Sequence, residues 1–346
     1  MIAREPERLL DFAQVRAWAG EWLQGASPYE SPESLADYPP NALVSLAPLA
    51  SIPAGAAVPL WIAVNVALSL AIAAIAPRLA GHGALHAALL LMLPPFRTLN
   101  QFSIAAFAPA LAGVASAARR PVLGGVAIGL SLIKPQVGGP ALLWAIAARR
   151  WRTVAAAVAV PIVLVALFSA RLGRTPFGVL ADHAAATTRT QNRADLMGGE
   201  TNLLPLVDWL PLAPVVTQAI LAVLLLALLP LAWRKHAPDR DARFFASACL
   251  VSLLALRHLG YGLLLAIPAL LWTIGHASRR VRAVGWICFA VMVASPPTLS
   301  RYLLEPSGAG EAVALLCAHA YRPAVLALFI LTLAAPARTG GHGATI

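Results

Sequence analysis

The stretch PVLGGVAIGLSLIKPQVGGPALLW, residues Pro121–Trp144, decides the fold. Its single charged residue is Lys134, and Pro135 follows directly. Proline disfavours helix at the residue before it. Gly138, Gly139 and Pro140 weaken the second arm further. The first arm, 121–133, rises about 20 Å as a helix, short of a ~30 Å hydrocarbon core. The pattern predicts a hairpin of two short helices whose turn lies below the outer membrane surface. Irregular backbone at that depth is tolerated only inside protein or beside a cavity. A cation there is expensive and is usually aimed at a partner. Lys134 therefore reads as the cation of an anion site within a membrane protein. The competing reading is a lysine snorkelling to an interface.

Composition extends this reading outward. The chain is 59% hydrophobic and only 12% charged, about half the charged share of a soluble domain. Apolar runs separated by short polar breaks predict an all-α, polytopic membrane protein. About eleven crossings are expected, over 55–76, 83–97, 101–118, 121–133, 136–148, 153–170, 214–233, 243–256, 259–275, 281–297 and 313–336. The net charge of +11 does not imply nucleic acid, because the arginines cluster in short loops where membrane topology wants them. Arg78, Arg119-Arg120, Arg149–Arg152, Arg234–Arg243, Arg279–Arg282 and Arg338 fall on one side, which is expected to be cytoplasmic. The opposite side receives 1–54, 97–101, Lys134–Gln136, 171–213, Arg257-His258 and 299–312. Chemistry is expected there. This arrangement puts the N-terminus outside without a preceding span, so a missing first transmembrane helix is expected. Cys249, Cys288 and Cys317 show no CxxC spacing and read as small buried hydrophobes.

The candidate chemistry lies in the outer segments. Phe12, Val15, Trp18, Ala19, Trp22 and Leu23 recur at helical spacing, predicting an amphipathic helix on the outer membrane surface. Asp11 stands at its start, as a helix cap or a base. Asp37-Tyr38-Pro39-Pro40 reads as a rigid extended turn. Asn100 and Gln101 open a span from the same side. Loop 171–213 carries Glu200 and Asn202 and is long enough to be a lid, an acceptor platform or a plain connector; 203–210 reads as a short surface helix. Arg257-His258 could grip a phosphate or form an interfacial turn. Gly124, Gly125 and Gly129 suit helix packing. There is no phosphate-binding glycine loop, HExxH or GxSxG, and neither a metal nor a cofactor is expected.

The ordered set resembles the GT-C membrane glycosyltransferases, and in particular family GT87 (DUF2029), which includes polyprenyl-phosphate-mannose-dependent α-mannosyltransferases. The resemblance is carried by Asp11-Phe12 with Trp22, Gly25, Pro28 and Tyr29, then Tyr38-Pro39-Pro40 leading to Pro48-Leu49. Asn100-Gln101, Arg119-Arg120-Pro121, Gly125–Gly129, Ile133-Lys134-Pro135-Gln136 and Arg149–Arg152 follow in order. Glu200–Leu203 and His258–Pro268 complete it. The chain departs from the family in lacking the first transmembrane helix, in reading Glu200-Thr201-Asn202 where Gln-Ser is usual, and in its looser His258 segment.

The resemblance implies a single GT-C-like domain over 1–346 in the bacterial plasma membrane. It implies inverting transfer of a hexose, mannose foremost, from a polyprenyl-phosphate donor to a glycolipid or glycan hydroxyl. Asp11 would be the base. Lys134, Arg257 and His258 would hold the departing phosphate, without a metal. Asn100, Gln101, Glu200, Asn202 and Tyr38 would contact sugar or acceptor. Two alternatives stay open: a lipid-carrier flippase or transporter, and a degenerate non-catalytic family member. The sugar, acceptor, linkage and oligomeric state are not legible.

Overall fold

The structure is a computed structural model that describes residues 10–30, 36–80, 82, 84–93, 96, 102–193, 203, 214–233, 239–256, 258, 260–293 and 321–336. Among these residues it contains helices and no strand. In chain order the helices are α1 (Leu10–Leu23), α2 (Pro40–Ala50), α3 (Ala54–Leu79), α4 (Ala84–Leu90), α5 (Phe102–Ser116), α6 (Pro121–Ser131) and α7 (Pro135–Ala147). They continue with α8 (Trp151–Arg171), α9 (Pro176–Arg193), α10 (Pro214–Ala232), α11 (Arg240–Ala255), a 3₁₀ segment (Gly260–Ala266), α12 (Ile267–Ile274), α13 (Arg279–Val293) and α14 (Tyr321–Ala334). α3 and α8 are long and apolar enough to cross a membrane. The chain divides into two compact units.

The first unit comprises residues 1–70, 99–142 and 150–198. Small residues set its packing. A Cβ on Gly113 would meet Ile128 and Gly124, and one on Gly124 would meet Ala117, so α5 and α6 are antiparallel and nearly touching. A Cβ on Gly125 would meet Thr153 and Ala156, and one on Gly129 would meet Ala157 and Val160. The register rises along both helices, so α6 and α8 run parallel. The expected packing role of Gly124, Gly125 and Gly129 thus has a geometric cause.

Two parallel neighbours need a return between them, and α7 supplies it. α6 packs along α5 and α8. The hairpin expected at Lys134 turns at 132–134, where Gly138 of α7 lies against Ser131 of α6. The apex is held by Lys134, whose carbonyl accepts from the amides of Val137 (2.8 Å) and Gly138 (3.0 Å). Pro135 occupies the first helical position, where its missing N–H costs nothing.

This topology separates two ends. Arg119 and Arg120 before α6, and Arg150 and Arg152 around the start of α8, share one end. The Lys134 apex and the close of α8 share the other. The 21 residues of α8 place these ends about 30 Å apart.

Four local expectations are corrected. Residues 40–50, expected as loop, form α2: Pro40 starts a helix instead of prolonging the turn. Loop 171–213 contains α9, started by Pro176 and by Thr175 Oγ1, which accepts the Gly178 amide (3.2 Å). The crossing expected over 83–97 stops as helix at Leu90, ahead of Pro94-Pro95. The apolar face of α1 meets protein, not the membrane surface. Phe12, Val15, Ala19 and Trp22 are buried, Phe12 stacks on Trp61 (5.4 Å), and Trp22 stacks on Phe168 (5.6 Å). The helix expected over 203–210 lies, apart from Leu203, outside the described residues.

The second unit comprises residues 71–98, 143–149 and 199–346. α11 is buried along nearly its whole length between α10, α12 and α14. Arg243 is fully buried there. Its guanidinium donates to the carbonyls of Thr332 and Leu333 in the last turn of α14 and lies over the Trp272 ring (5.4 Å). Trp272 Nε1 donates to Asp239 (2.8 Å). Orphan carbonyls at a helix end need donors, and this arginine, expected as a loop cation, serves that end from a neighbouring helix.

Candidate active site

The apex end of the first unit gathers the chemistry. Lys134 is 6% exposed, and its ammonium stands over the Tyr38 ring, 5.7 Å from the centroid, within cation–π range. Two residues far apart in the sequence are thus adjacent.

Four contacts fix the Asp37-Tyr38-Pro39-Pro40 turn. Asn41, buried at the start of α2, donates through Nδ2 to the Leu132 carbonyl at the apex (3.0 Å). Tyr29 donates its hydroxyl to the Tyr38 carbonyl (2.8 Å). His183 of α9 places Nε2 3.1 Å from the Asp37 carbonyl. A carbonyl only accepts, so Nε2 carries the hydrogen of the neutral ring. Arg189 donates to the Tyr29 carbonyl (2.9 Å). Nearby, Arg174 pairs with Asp182 (2.7 Å) and Glu30 (2.5 Å).

Burial explains the protonation states. Tyr29 is pushed well above the usual phenol value, first by desolvation and then by the Asp37 charge, so it stays a donor. Desolvation lowers His183 below its ordinary value, against the opposing bond to the Asp37 carbonyl.

An aromatic relay runs from α1 to the cation. Phe12 meets Trp61 (5.4 Å), Trp61 meets Phe102 (4.6 Å), and Phe102 meets Tyr38 edge-on (5.3 Å). Trp18 also reaches Tyr38 (6.5 Å). Asp11 precedes Phe12 in the first turn of α1, at a register position two turns before Trp18. Such a wall of rings beside one buried cation can stack against a sugar and balance an anion.

His258 is buried in the second unit, its Nε2 3.3 Å from Ser252 Oγ. A Cβ on Gly262 would reach within 2.6 Å of its side chain, so only glycine fits there. Asn100, Gln101, Glu200, Asn202 and Arg257 lie outside the described residues. Sequence reasoning missed Asn41, Trp61, Phe102 and His183 as partners of the turn. Trp61 and Phe102 sit in plain apolar runs that carry no signal. Asn41 follows directly on the prolines and was legible as a polar residue at a helix start.

Among the described residues the scaffold is helical, two helices are long and apolar enough to cross a membrane, and a buried cation stands beside aromatic rings, a combination that suggests a membrane-associated class of protein. The family model for glycosyltransferase family 87 matches residues 37–257. The chain belongs to this family and is a glycosyltransferase. The match begins at the Asp37 turn and includes all of α6 and α7. No curated protein and no solved structure matches the chain.

Proposed function

We propose that this glycosyltransferase moves a hexose, mannose foremost, from a polyprenyl-phosphate donor to a lipid or glycan hydroxyl on the extracytoplasmic side of a bacterial plasma membrane. One observation carries the reading: Lys134, a buried cation over Tyr38, sits about one membrane thickness from the arginine-rich end of the same unit. Arginine-rich loops mark the cytoplasmic side, which leaves the Lys134 apex facing outward. Such a site suits a donor held in the outer leaflet by its lipid. The apolar helices then read as a polytopic bundle.

Inverting transfer breaks the bond between the anomeric carbon and the phosphate oxygen as the acceptor oxygen attacks from the opposite face. The acceptor loses its proton to a base, and the leaving phosphate needs positive charge. In this reading Asp11 takes the proton. Lys134 balances the phosphate, with Arg257 and His258 as helpers. Tyr38 stacks on the sugar, and Asn100, Gln101, Glu200 and Asn202 bond its hydroxyls or the acceptor. Trp61 and Phe102 keep the Tyr38 ring in place.

The test compares wild type with Asp11→Asn, using donor binding and sugar transfer as separate readouts. The variant is expected to bind polyprenyl-phosphate-mannose as wild type does and to lose transfer by about 10²–10⁴-fold. Undiminished transfer would remove Asp11 from the mechanism.

A further inference from the structure

α9 turns Val179 and Ala186 into the core of the first unit and flanks them with polar residues. Three of its polar residues turn inward: Asp182 to Arg174, His183 to the Asp37 carbonyl, Arg189 to the Tyr29 carbonyl. Its outward positions are Phe177, Leu180, Ala181, Ala184 and Thr188, all exposed and none charged. Their spacing of three and four residues puts them on one face. Phe177 is 86% exposed and Leu180 42%. An isolated exposed phenylalanine is ordinary, but a whole face without charge, opposite one that carries Asp182, His183 and Arg189, is not.

The surroundings indicate what covers that face. Among the described residues α8 is one of two helices long and apolar enough to cross a membrane, and its side chains Ile162, Val163 and Leu167 are exposed. The chain passes from Leu167 to Phe177 through one short turn, so the two apolar surfaces adjoin in sequence. That turn lies at the end of α8 remote from Arg150 and Arg152. An amphipathic helix there suits the boundary between acyl chains and headgroups.

We propose that α9 lies in the outer-leaflet interface, with Phe177 and Leu180 seated in lipid as a continuation of the lipid-facing surface of α8. Through His183 and Arg189 it ties Asp37 and Tyr29, and hence Tyr38, to the membrane surface. This rests on the membrane placement proposed above, but its test needs no sugar transfer.

A cysteine-free full-length protein in phosphatidylcholine–phosphatidylglycerol nanodiscs would carry one spin label at Phe177→Cys, Leu180→Cys, Ala184→Cys or Thr188→Cys, with Gln24→Cys as the water-facing reference. Oxygen access is expected to exceed access by a water-soluble nickel chelate several-fold at 177, 180 and 184, and to fall below it at 24. Phe177→Trp puts the same question without a label: its added emission should be quenched by brominated phospholipid. Greater chelate than oxygen access on the outward face would overturn the proposal. Label–label broadening that vanishes on dilution with unlabelled protein would also overturn it, by placing a second copy there. So would emission from the Phe177→Trp variant that brominated lipid leaves untouched.

Discussion

The geometry of the Lys134 apex depends on one glycine and not on its neighbour. A Cβ on Gly138 would press on Ser131 Oγ and lie 2.7 Å from both the Ser131 carbonyl carbon and its oxygen. A Cβ on Gly139 meets nothing within 4 Å. Both glycines belong to the same helix, so Gly→Ala brings each the same gain in helix propensity, about 1 kcal/mol. That gain cancels between the two variants. What remains is the cost of forcing α7 away from backbone at the apex, about 1–3 kcal/mol by the usual cost of overpacking. Gly139→Ala should therefore match or exceed wild type in unfolding free energy in mixed micelles, with Gly138→Ala about 1–3 kcal/mol below Gly139→Ala. The displaced apex carries Lys134, so transfer by Gly138→Ala should also fall while Gly139→Ala keeps it. If Gly138→Ala proves as stable as Gly139→Ala, the apex is not the tight bend described and does not fix Lys134.

Two further outcomes follow from the turn. Asn41→Ala leaves the Leu132 carbonyl at the apex without its donor and should cost about 1–3 kcal/mol, whereas Ser45→Ala, which loses only a bond to the Asn41 carbonyl four residues back, should change stability little; equal losses in denaturant titrations would contradict this. Because burial holds His183 below its ordinary 6.5, undocked α9 binds more protons than docked α9 between that lowered value and about 6.5. Docking is then complete above about 6.5 and weakens as pH falls from there toward the lowered value. Protection from hydrogen exchange over 176–190, taken relative to the intrinsic exchange rate at each pH, should fall as pH drops from about 7.5 to about 5 in wild type and lose that dependence in His183→Gln; an unchanged protection profile would show that His183 does not control docking.

Much of this site is legible in the amino-acid sequence, for identifiable reasons. Lys134 announces itself because a lone cation among apolar residues has few cheap explanations. The break beside it follows from Pro135, and the glycine packing of α6 from bare backbone needing close neighbours. The helices α2 and α9 are not legible. A proline pair can close a turn or open a helix, and the Pro39 backbone, extended before Pro40, does both. α9 turns the apolar Val179 and Ala186 inward but makes its other inward contacts with polar residues, too sparse an apolar pattern to announce a helix. That α8 runs parallel to α6, with α7 returning between them, is a tertiary fact without a local signature. Trp61 and Phe102 look like any ring in an apolar run until the turn brings Tyr38 against Phe102.

Sugar transfer by the purified protein in proteoliposomes, wild type against Lys134→Met, tests the central claim most directly. Radiolabelled polyprenyl-phosphate-mannose would be the donor and extracted membrane lipids the acceptor. The account predicts labelled glycolipid from wild type and a loss of about 10²–10³-fold in the variant, with the variant folded as judged by its unfolding midpoint. Equal transfer by folded Lys134→Met would contradict the account.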